Sequence, residues 1–172
     1  MPHPKYPRSI RWALLAILAL WAGAGPSLAA VKAGDTFPDL TTFKLEGKLP
    51  ADLTNKVVMI DFWASWCDPC KDSFPVMDEL QKRYGPKGFA IIAINVDENR
   101  AEMEDFLKKN NVSFTLVRDA GQKLVEKTGI STMPSSFILD RTGKVRFYHP
   151  GYRGNETRKK YEQEIESLVG KP

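Results

Sequence analysis

Apolar runs alternate with amphipathic stretches through the middle of the chain. Residues 57–62 and 89–96 are short, apolar and rich in β-branched side chains, which is typical of buried strands. Between them apolar residues recur at helical spacing, at Phe74, Met77, Leu80 and Tyr84. The pattern predicts a buried strand, a short turn, an amphipathic helix and a second buried strand.

The same alternation continues after the second strand. Asn99 is suited to cap a helix, because its side chain can accept a hydrogen bond from a free backbone N–H. The apolar side of that helix consists of Met103, Phe106 and Leu107. An extended segment at 112–117 and a short helix at 122–128, ended by Gly129, should follow.

In the last third of the chain, the residue pattern predicts a strand after Pro134, a tight turn at 140–143 and an edge strand at 144–148. A closing helix is indicated by apolar residues at helical spacing, at Tyr161, Ile165, Leu168 and Val169. Asn155 is its expected N-terminal cap. At the other end, 35–40 and 44–47 suggest short edge strands, since Pro38 does not fit a central strand.

The first 29 residues are typical of a secretory signal peptide. A basic start is followed by an apolar run at 12–24, and Ser27 and Ala29 offer small residues for cleavage after Ala29. The run is shorter than the roughly 20 residues that span a bilayer, so we expect cleavage, with a retained membrane anchor as the alternative. Residues 30–172 then form one domain in the periplasm, either free or anchored to the inner membrane.

Removing the leader changes the charge balance. The leader contains three of the 25 Lys and Arg residues and none of the 21 acidic ones, so the net charge falls from +4 to +1. The remaining chain has no excess of positive charge that would favour nucleic acid. The hydrophobic fraction of 42% is sufficient for one ordinary core.

The only two cysteines, Cys67 and Cys70, lie where the first strand passes into its helix. Free N–H groups and the helix dipole favour a thiolate there, so we expect a lowered pKa for Cys67 and a role as nucleophile. Cys70, one turn inside the helix, can resolve a mixed disulfide on Cys67. Pro69 suits the first turn because its missing N–H has no intrahelical partner.

The cysteines could also hold a zinc ion or form a structural bridge. Zinc requires four ligands, and outside the first thirty residues only His149 could join the cysteines. A structural bridge between residues three apart would constrain the unfolded chain little. Thiol–disulfide chemistry is therefore favoured, and we expect no metal and no cofactor besides the Cys67–Cys70 pair.

Residues 60–71 resemble the active-site segment of the thioredoxin superfamily, and other features resemble its TlpA/ResA/CcmG-like branch of secreted or membrane-tethered reductases. The resemblance implies a thioredoxin-like α/β fold with three α/β/α layers and a central mixed sheet. It also implies an N-terminal β-hairpin extension and a central helix–strand insertion after the second core strand.

Met133 and Pro134 match the position at which this superfamily has a cis proline beside the disulfide. An ordinary trans proline opening an edge strand is the alternative. The backbone of Met133, if extended, could pair with a client peptide. We expect a client-contacting set that comprises Trp66, Asp68, Pro69, Met133 and Pro134.

Asp61 interrupts an apolar strand six residues before Cys67, where thioredoxin has a buried aspartate. Burial raises a carboxyl pKa, which would allow Asp61 to accept the proton of Cys70. A solvated or backbone-bonded aspartate is the alternative. ResA-like proteins carry an acidic residue three positions beyond the second cysteine, where this chain has Ser73.

The negative charge of Asp68 bears on the direction of electron flow. A carboxylate between the cysteines disfavours the Cys67 thiolate and so stabilises the disulfide, which predicts a reducing couple. The resemblance implies a protein-disulfide reductase whose clients are apocytochrome c or copper-site assembly proteins. It also implies recharging by a membrane thiol donor, and we expect the protein to be a monomer.

Three other activities remain open. A general disulfide oxidase or isomerase would use the same chemistry and differs only in direction. A peroxiredoxin-type peroxidase needs a Pro-x-x-x-Thr/Ser-x-x-Cys setting that the residues before Cys67 do not supply. A Sco-like copper chaperone has three residues between its cysteines, whereas this chain has two.

Overall fold

One mixed sheet of six strands organises the computed structural model, which describes residues 30–170. The strands are β1 (Glu46–Gly47), β2 (Val57–Trp63), β3 (Phe89–Asn95), β4 (Thr115–Arg118), β5 (Ser135–Leu139) and β6 (Val145–Pro150). The helices are α1 (Asp68–Tyr84), α2 (Arg100–Lys109), α3 (Lys123–Thr128) and α4 (Asn155–Val169). The expected signal peptide lies outside the described residues. Among the residues described, no helix is both long enough and apolar enough to cross a membrane.

The strand order is β1-β4-β3-β2-β5-β6. The central strands β2, β3 and β4 are parallel, while β5 and β6 continue one edge antiparallel and β1 closes the other edge antiparallel to β4. Because the carboxyl ends of β2 and β3 lie at the same edge of the sheet, the loops that follow them meet there.

Strand β2 is buried along its whole length, so its two faces contribute to two different layers. Asp61 and Trp63 point to the face that α1 and α4 cover: Trp63 packs on Phe74 of α1 with ring centroids 4.6 Å apart. Phe62 points to the opposite face and meets Phe137 of β5 at 6.2 Å. The apolar composition predicted this strand, and its burial on both faces confirms it as the centre of the fold.

The helices complete a three-layer α/β/α arrangement, which confirms the predicted fold class. Helix α1 exposes its polar side and buries the apolar residues that its periodicity identified, Phe74, Met77, Leu80 and Tyr84. Helix α2 adds Phe106 to the same layer, with its ring 5.0 Å from that of Trp63. Together α2 and β4 form the expected insertion between β3 and α3.

The N-terminal segment differs from the expected β-hairpin. Thr36 forms an isolated antiparallel bridge with Lys144 beside β6, whereas β1 pairs with β4 at the opposite edge of the sheet. Between them Leu40–Thr42 is a single 3-10 turn capped by Asp39. The two short segments were correctly expected at sheet edges, but they pair with different strands because Phe37 and Leu40 pack into the core between them.

Helix α4 begins one residue earlier than predicted. Its N-cap is Gly154, and Asn155 is already the first helical residue. Gly154 has a φ of 58° and a ψ of −131°, a backbone conformation that glycine adopts without strain. The expected Asn155 cap was therefore wrong, whereas the predicted Asn99 cap of α2 is confirmed by its bond to the N–H of Ala101.

Candidate active site

Cys67 and Cys70 form a disulfide at the N-terminus of α1. Cys67 is the N-cap, and its sulfur accepts the N–H of Cys70 at 3.3 Å. Pro69 lies in the first turn, as predicted. Cys67 retains 5% of its surface exposed while Cys70 is fully buried, so Cys67 is the more accessible of the two cysteines. The arrangement suits Cys67 as nucleophile and Cys70 as resolving thiol.

A buried carboxylate holds the loop that leads to Cys67. Both oxygens of Asp97 accept the backbone N–H of Ser65 at 3.1 Å, and one also accepts the side-chain amide of Asn95 at 2.8 Å. Ser65 follows β2 and Asp97 follows β3, so the parallel pairing of these strands brings the two residues together. Asp97 thereby fixes the approach of the chain to the disulfide.

Arg118 extends this support to the edge of the sheet. Its guanidinium donates to the carbonyl oxygens of Asp97 and Glu98 at 2.9 and 3.0 Å, and to both carboxylate oxygens of Glu46. The sequence analysis missed Asn95, Asp97 and Arg118. Polar residues directly after a buried parallel strand were the available signal, because that end of the sheet carries the site.

Trp66 is the single exposed large hydrophobic side chain in residues 30–170, at 64% exposure. It borders a groove of about 390 Å³ that continues past Met133. The rest of the groove is formed by Val96, Glu98, Asn99, Glu102, Gln122 and Val125. The structure thus brings Trp66 and Met133, two residues of the predicted client-contacting set, to one concave surface.

The bond between Met133 and Pro134 is cis, as predicted. Pro134 is buried and precedes β5, whereas Met133 is half-buried and lies outside any strand. Within residues 30–170, the hydrogen bonds that link turns and loops leave the backbone N–H and C=O of Met133 unused. These groups are available to a peptide strand from a partner.

Asp61 is completely buried on β2, opposite Ser136 of β5. Its Oδ1 accepts the hydroxyl of Ser136 at 2.6 Å, and its Oδ2 has no hydrogen-bond partner within the described residues. Burial raises the pKa of Asp61 to about 7, and the Ser136 hydroxyl opposes this in part. The alternative of a solvated strand-end aspartate is therefore wrong.

Asp68 is exposed and forms an ion pair with Lys71, with 2.7 Å between Oδ1 and Nζ. This hydrogen bond lowers the pKa of Asp68. The charge expected to oppose a Cys67 thiolate is present, but a lysine in the same helical turn partly balances it.

Ser73 is buried and donates its hydroxyl to the carbonyl oxygen of Cys70 at 2.8 Å. This chain therefore has a buried hydroxyl, and no carboxylate, at the position where ResA-like proteins carry an acidic residue. Among residues 30–170 no group of three or more His, Cys, Asp or Glu side chains is placed to hold a metal ion.

The family model described as Redoxin matches residues 32–165. The thiol-disulfide oxidoreductase ResA of Bacillus anthracis is 34% identical over 128 residues, which are 73% of this chain and 74% of the relative. ResA of Geobacillus thermodenitrificans is 32% identical over 159 residues and 90% of both chains. A putative thiol:disulfide interchange protein DsbE from Chlorobium tepidum superposes with a TM-score of 0.75 at 38% identity, covering 82% of this chain and all of that one.

The Redoxin match spans residues 32–165, which contain the six strands, Cys67, Cys70 and Pro134, so the similarity concerns the whole domain. With the Cys67–Cys70 pair in place, the protein is a thiol-disulfide oxidoreductase. The chain belongs to the Redoxin family, in its TlpA/ResA/CcmG-like branch.

Proposed function

We propose that this protein reduces disulfide bonds of client proteins in the periplasm. The observation that carries the proposal is the pairing of a reachable Cys67 with a buried Cys70 beside the groove of Trp66 and Met133. An extended client strand along Met133 would bring its own disulfide to Cys67. The exposed Asp68 and Pro69 complete the surface that we assign to client binding, and the buried Pro134 belongs to the set as the residue that follows Met133.

The reaction has two displacements. The Cys67 thiolate attacks one sulfur of the client disulfide, forms a mixed disulfide and expels the other client sulfur as a thiolate, which takes a proton from water. Cys70 then gives its proton to ionised Asp61, and its sulfur attacks Cys67. The Cys67–Cys70 disulfide forms and the second client thiolate leaves, so two electrons pass to the client.

Asp61 supports this sequence because it is completely buried on β2, the strand that leads into the cysteine loop, and its Oδ2 has no hydrogen-bond partner within residues 30–170. A carboxyl with a pKa of about 7 can change protonation state near neutral pH. The protonated acid later returns its proton to water or to the departing client thiolate. Each cycle therefore leaves Asp61 ionised again.

Two further parts of the proposal concern pathway and location. The basic start and apolar run of residues 1–29 support export, and an oxidising compartment requires a membrane thiol donor to reduce the protein again. We assign the clients to cytochrome c maturation, as apocytochrome c, or to assembly of respiratory copper sites. A general oxidase or isomerase is the alternative that the same disulfide would permit.

A trapping experiment tests the proposal. In Cys70→Ser the mixed disulfide on Cys67 cannot be resolved, so client proteins should accumulate as covalent complexes that dithiothreitol releases. Cys67→Ser is the matched control and should trap none. Trapping of clients that carried a disulfide supports a reductase, while an equal absence of complexes in both variants would contradict the proposal. Loss of c-type cytochromes on gene deletion, or of oxidase copper alone, separates the two pathways.

A further inference from the structure

A chain of two short hydrogen bonds connects Asp61 to the C-terminal helix. Ser136 Oγ donates to Asp61 Oδ1 at 2.6 Å, and Tyr161 Oη lies 2.7 Å from the same Ser136 oxygen. The three side chains come from β2, β5 and α4, and none of them has any exposed surface. Residues from three separate elements therefore form one polar chain in the interior.

The chain has one consistent order of donors when Asp61 is ionised. A serine hydroxyl has a single proton, and Ser136 uses it on the carboxylate. Tyr161 must then donate its own proton to Ser136. Burial raises the pKa of Tyr161, so the phenol keeps that proton throughout the neutral range. Tyr161 therefore donates to Ser136, and Ser136 donates to Asp61.

The two oxygens of Asp61 are consequently different. Oδ1 is held by Ser136, while Oδ2 is buried without a hydrogen-bond partner in the described part of the chain. A buried polar atom without a partner costs free energy, and a chemical role is one explanation for such an atom. Oδ2 is the oxygen that can gain a proton without breaking an existing bond.

We propose that Ser136 and Tyr161 are positioning residues that hold Oδ1 of Asp61 and leave Oδ2 to take the proton of Cys70. The inference rests on the proposed role of Asp61 as proton acceptor. In the step itself the S–H bond of Cys70 breaks, the electron pair stays on sulfur, and an O–H bond forms at Oδ2. Ser136 and Tyr161 exchange no proton, and their order of donation is the same before and after.

Other titratable groups lie around Tyr161 rather than Asp61. The ring of His149 on β6 meets that of Tyr161 edge-on at 5.0 Å, and its Nε2 lies 2.6 Å from Oε2 of Glu164 on α4. The ring of Tyr152 is 6.5 Å from that of Tyr161. For Asp61 itself, burial and the Ser136 hydroxyl account for the pKa, with no charged side chain among the causes. A test must therefore observe Asp61 directly.

The experiment follows the carboxyl carbon of Asp61 by ¹³C NMR against pH in the oxidised protein, with Asp61→Asn to assign the signal. Ser136→Ala should raise the titration midpoint by about one pH unit, since a hydrogen bond to an ionised group is lost. Tyr161→Phe should raise it by about half a unit, because it weakens Ser136 as a donor. Tyr148→Phe is the matched control, since its hydroxyl lies 3.3 Å from Ser135, next to Ser136, and should leave the midpoint unchanged.

The second readout is the rate at which Cys70 resolves a mixed disulfide on Cys67, measured against pH in the same variants. Its midpoint should move with the NMR midpoint. An unmoved NMR midpoint in a folded Ser136→Ala or Tyr161→Phe protein would overturn the inference. An unchanged pH profile of the resolution rate, together with a moved NMR midpoint, would also overturn the inference. Ser136 and Tyr161 would then change the pKa of a carboxyl that takes no proton from Cys70.

Failure of the proposed function would look different. The NMR titration uses the oxidised protein and needs no client. A wild-type protein that reduces no client, together with a Cys70→Ser variant that traps none, would contradict the reductase assignment, whatever the Asp61 midpoints are. If Ser136→Ala does not fold, Tyr161→Phe alone decides the inference. This change removes the hydroxyl oxygen and keeps the aromatic ring.

Discussion

At the scale of single residues, Asp61 shows how burial changes the chemistry of an ordinary side chain. The sequence indicates an acid in an apolar strand, and the structure places it without exposure and with one free oxygen. Its pKa of about 7 follows because an ionised carboxyl loses its hydration in the interior. At Cys67 the structure shows the N–H of Cys70 donating to Sγ at 3.3 Å, a contact of the kind that favours a thiolate.

The raised pKa of Asp61 predicts a pH-dependent stability. Between pH 4 and pH 7 the folded protein holds a proton at Asp61 that the unfolded chain has released, so stability falls as pH rises through this window. The shift of the Asp61 pKa from 3.8 to about 7 lowers the free energy of unfolding by on the order of 4 kcal/mol above pH 7. Asp61→Asn should therefore gain stability relative to wild type as pH rises, measured by urea unfolding at pH 4 and pH 8.

Asp72→Asn serves as the control, because Asp72 is an exposed carboxylate on the same helix as Cys70. The difference in the free energy of unfolding between Asp72→Asn and wild type should stay nearly constant from pH 4 to pH 8. A constant difference for Asp61→Asn as well would show that Asp61 does not titrate near neutral pH. An unchanged pH profile of client reduction in Asp61→Asn would leave Asp61 with a structural role alone.

At the scale of elements, the parallel pairing of β2 and β3 assembles the site. It sets Ser65 after one strand beside Asp97 after the other, and α1 then starts from a fixed loop. Asp119 acts similarly for α3: its carboxylate accepts the N–H groups of Lys123, Leu124 and Val125. Buried carboxylates thus anchor the starts of two segments that border the groove.

Asp97→Ala is expected to loosen the loop before Cys67. It leaves the N–H of Ser65 and the amide of Asn95 without their acceptor, at a cost of about 2–4 kcal/mol in the free energy of unfolding. The rate of client reduction should fall too, because Cys67 is held less firmly. Asp105→Ala is the control: Asp105 is exposed and pairs with Lys108 at 2.7 Å, so its loss should cost less than about 0.5 kcal/mol. Equal effects of the two changes would contradict the anchoring role.

At the scale of the whole molecule, the reduction potential expresses the balance of all groups around the disulfide. Neither residue between the cysteines is basic, and Asp68 disfavours the thiolate while Lys71 partly offsets it. We expect a potential nearer that of thioredoxin, about −270 mV, than that of DsbA, about −120 mV. Equilibration with a glutathione or dithiothreitol buffer measures it, and a value above about −170 mV would favour the oxidase alternative.

Local patterns were sufficient for much of the fold. The strand–turn–helix around the cysteines, the cap at Asn99 and the turn before β6 depend on residues close together in the chain, so their spacing and side-chain chemistry predict them. The cis bond before Pro134 was predicted through the family resemblance. The prediction of an N-terminal hairpin was wrong because Thr36 and Glu46 pair with residues far along the chain, Lys144 and Arg118.

The sequence alone therefore predicted the redox pair, the layered α/β class and a buried acid at Asp61, since each depends on residue type and short-range order. The support from Asp97, the chain of Asp61, Ser136 and Tyr161, and the groove beside Trp66 required the folded protein. Their members are separated by tens of residues, and strand pairing and helix packing alone bring them within hydrogen-bonding distance. Chemical groups can be read along a chain, but their mutual distances are a property of the tertiary structure.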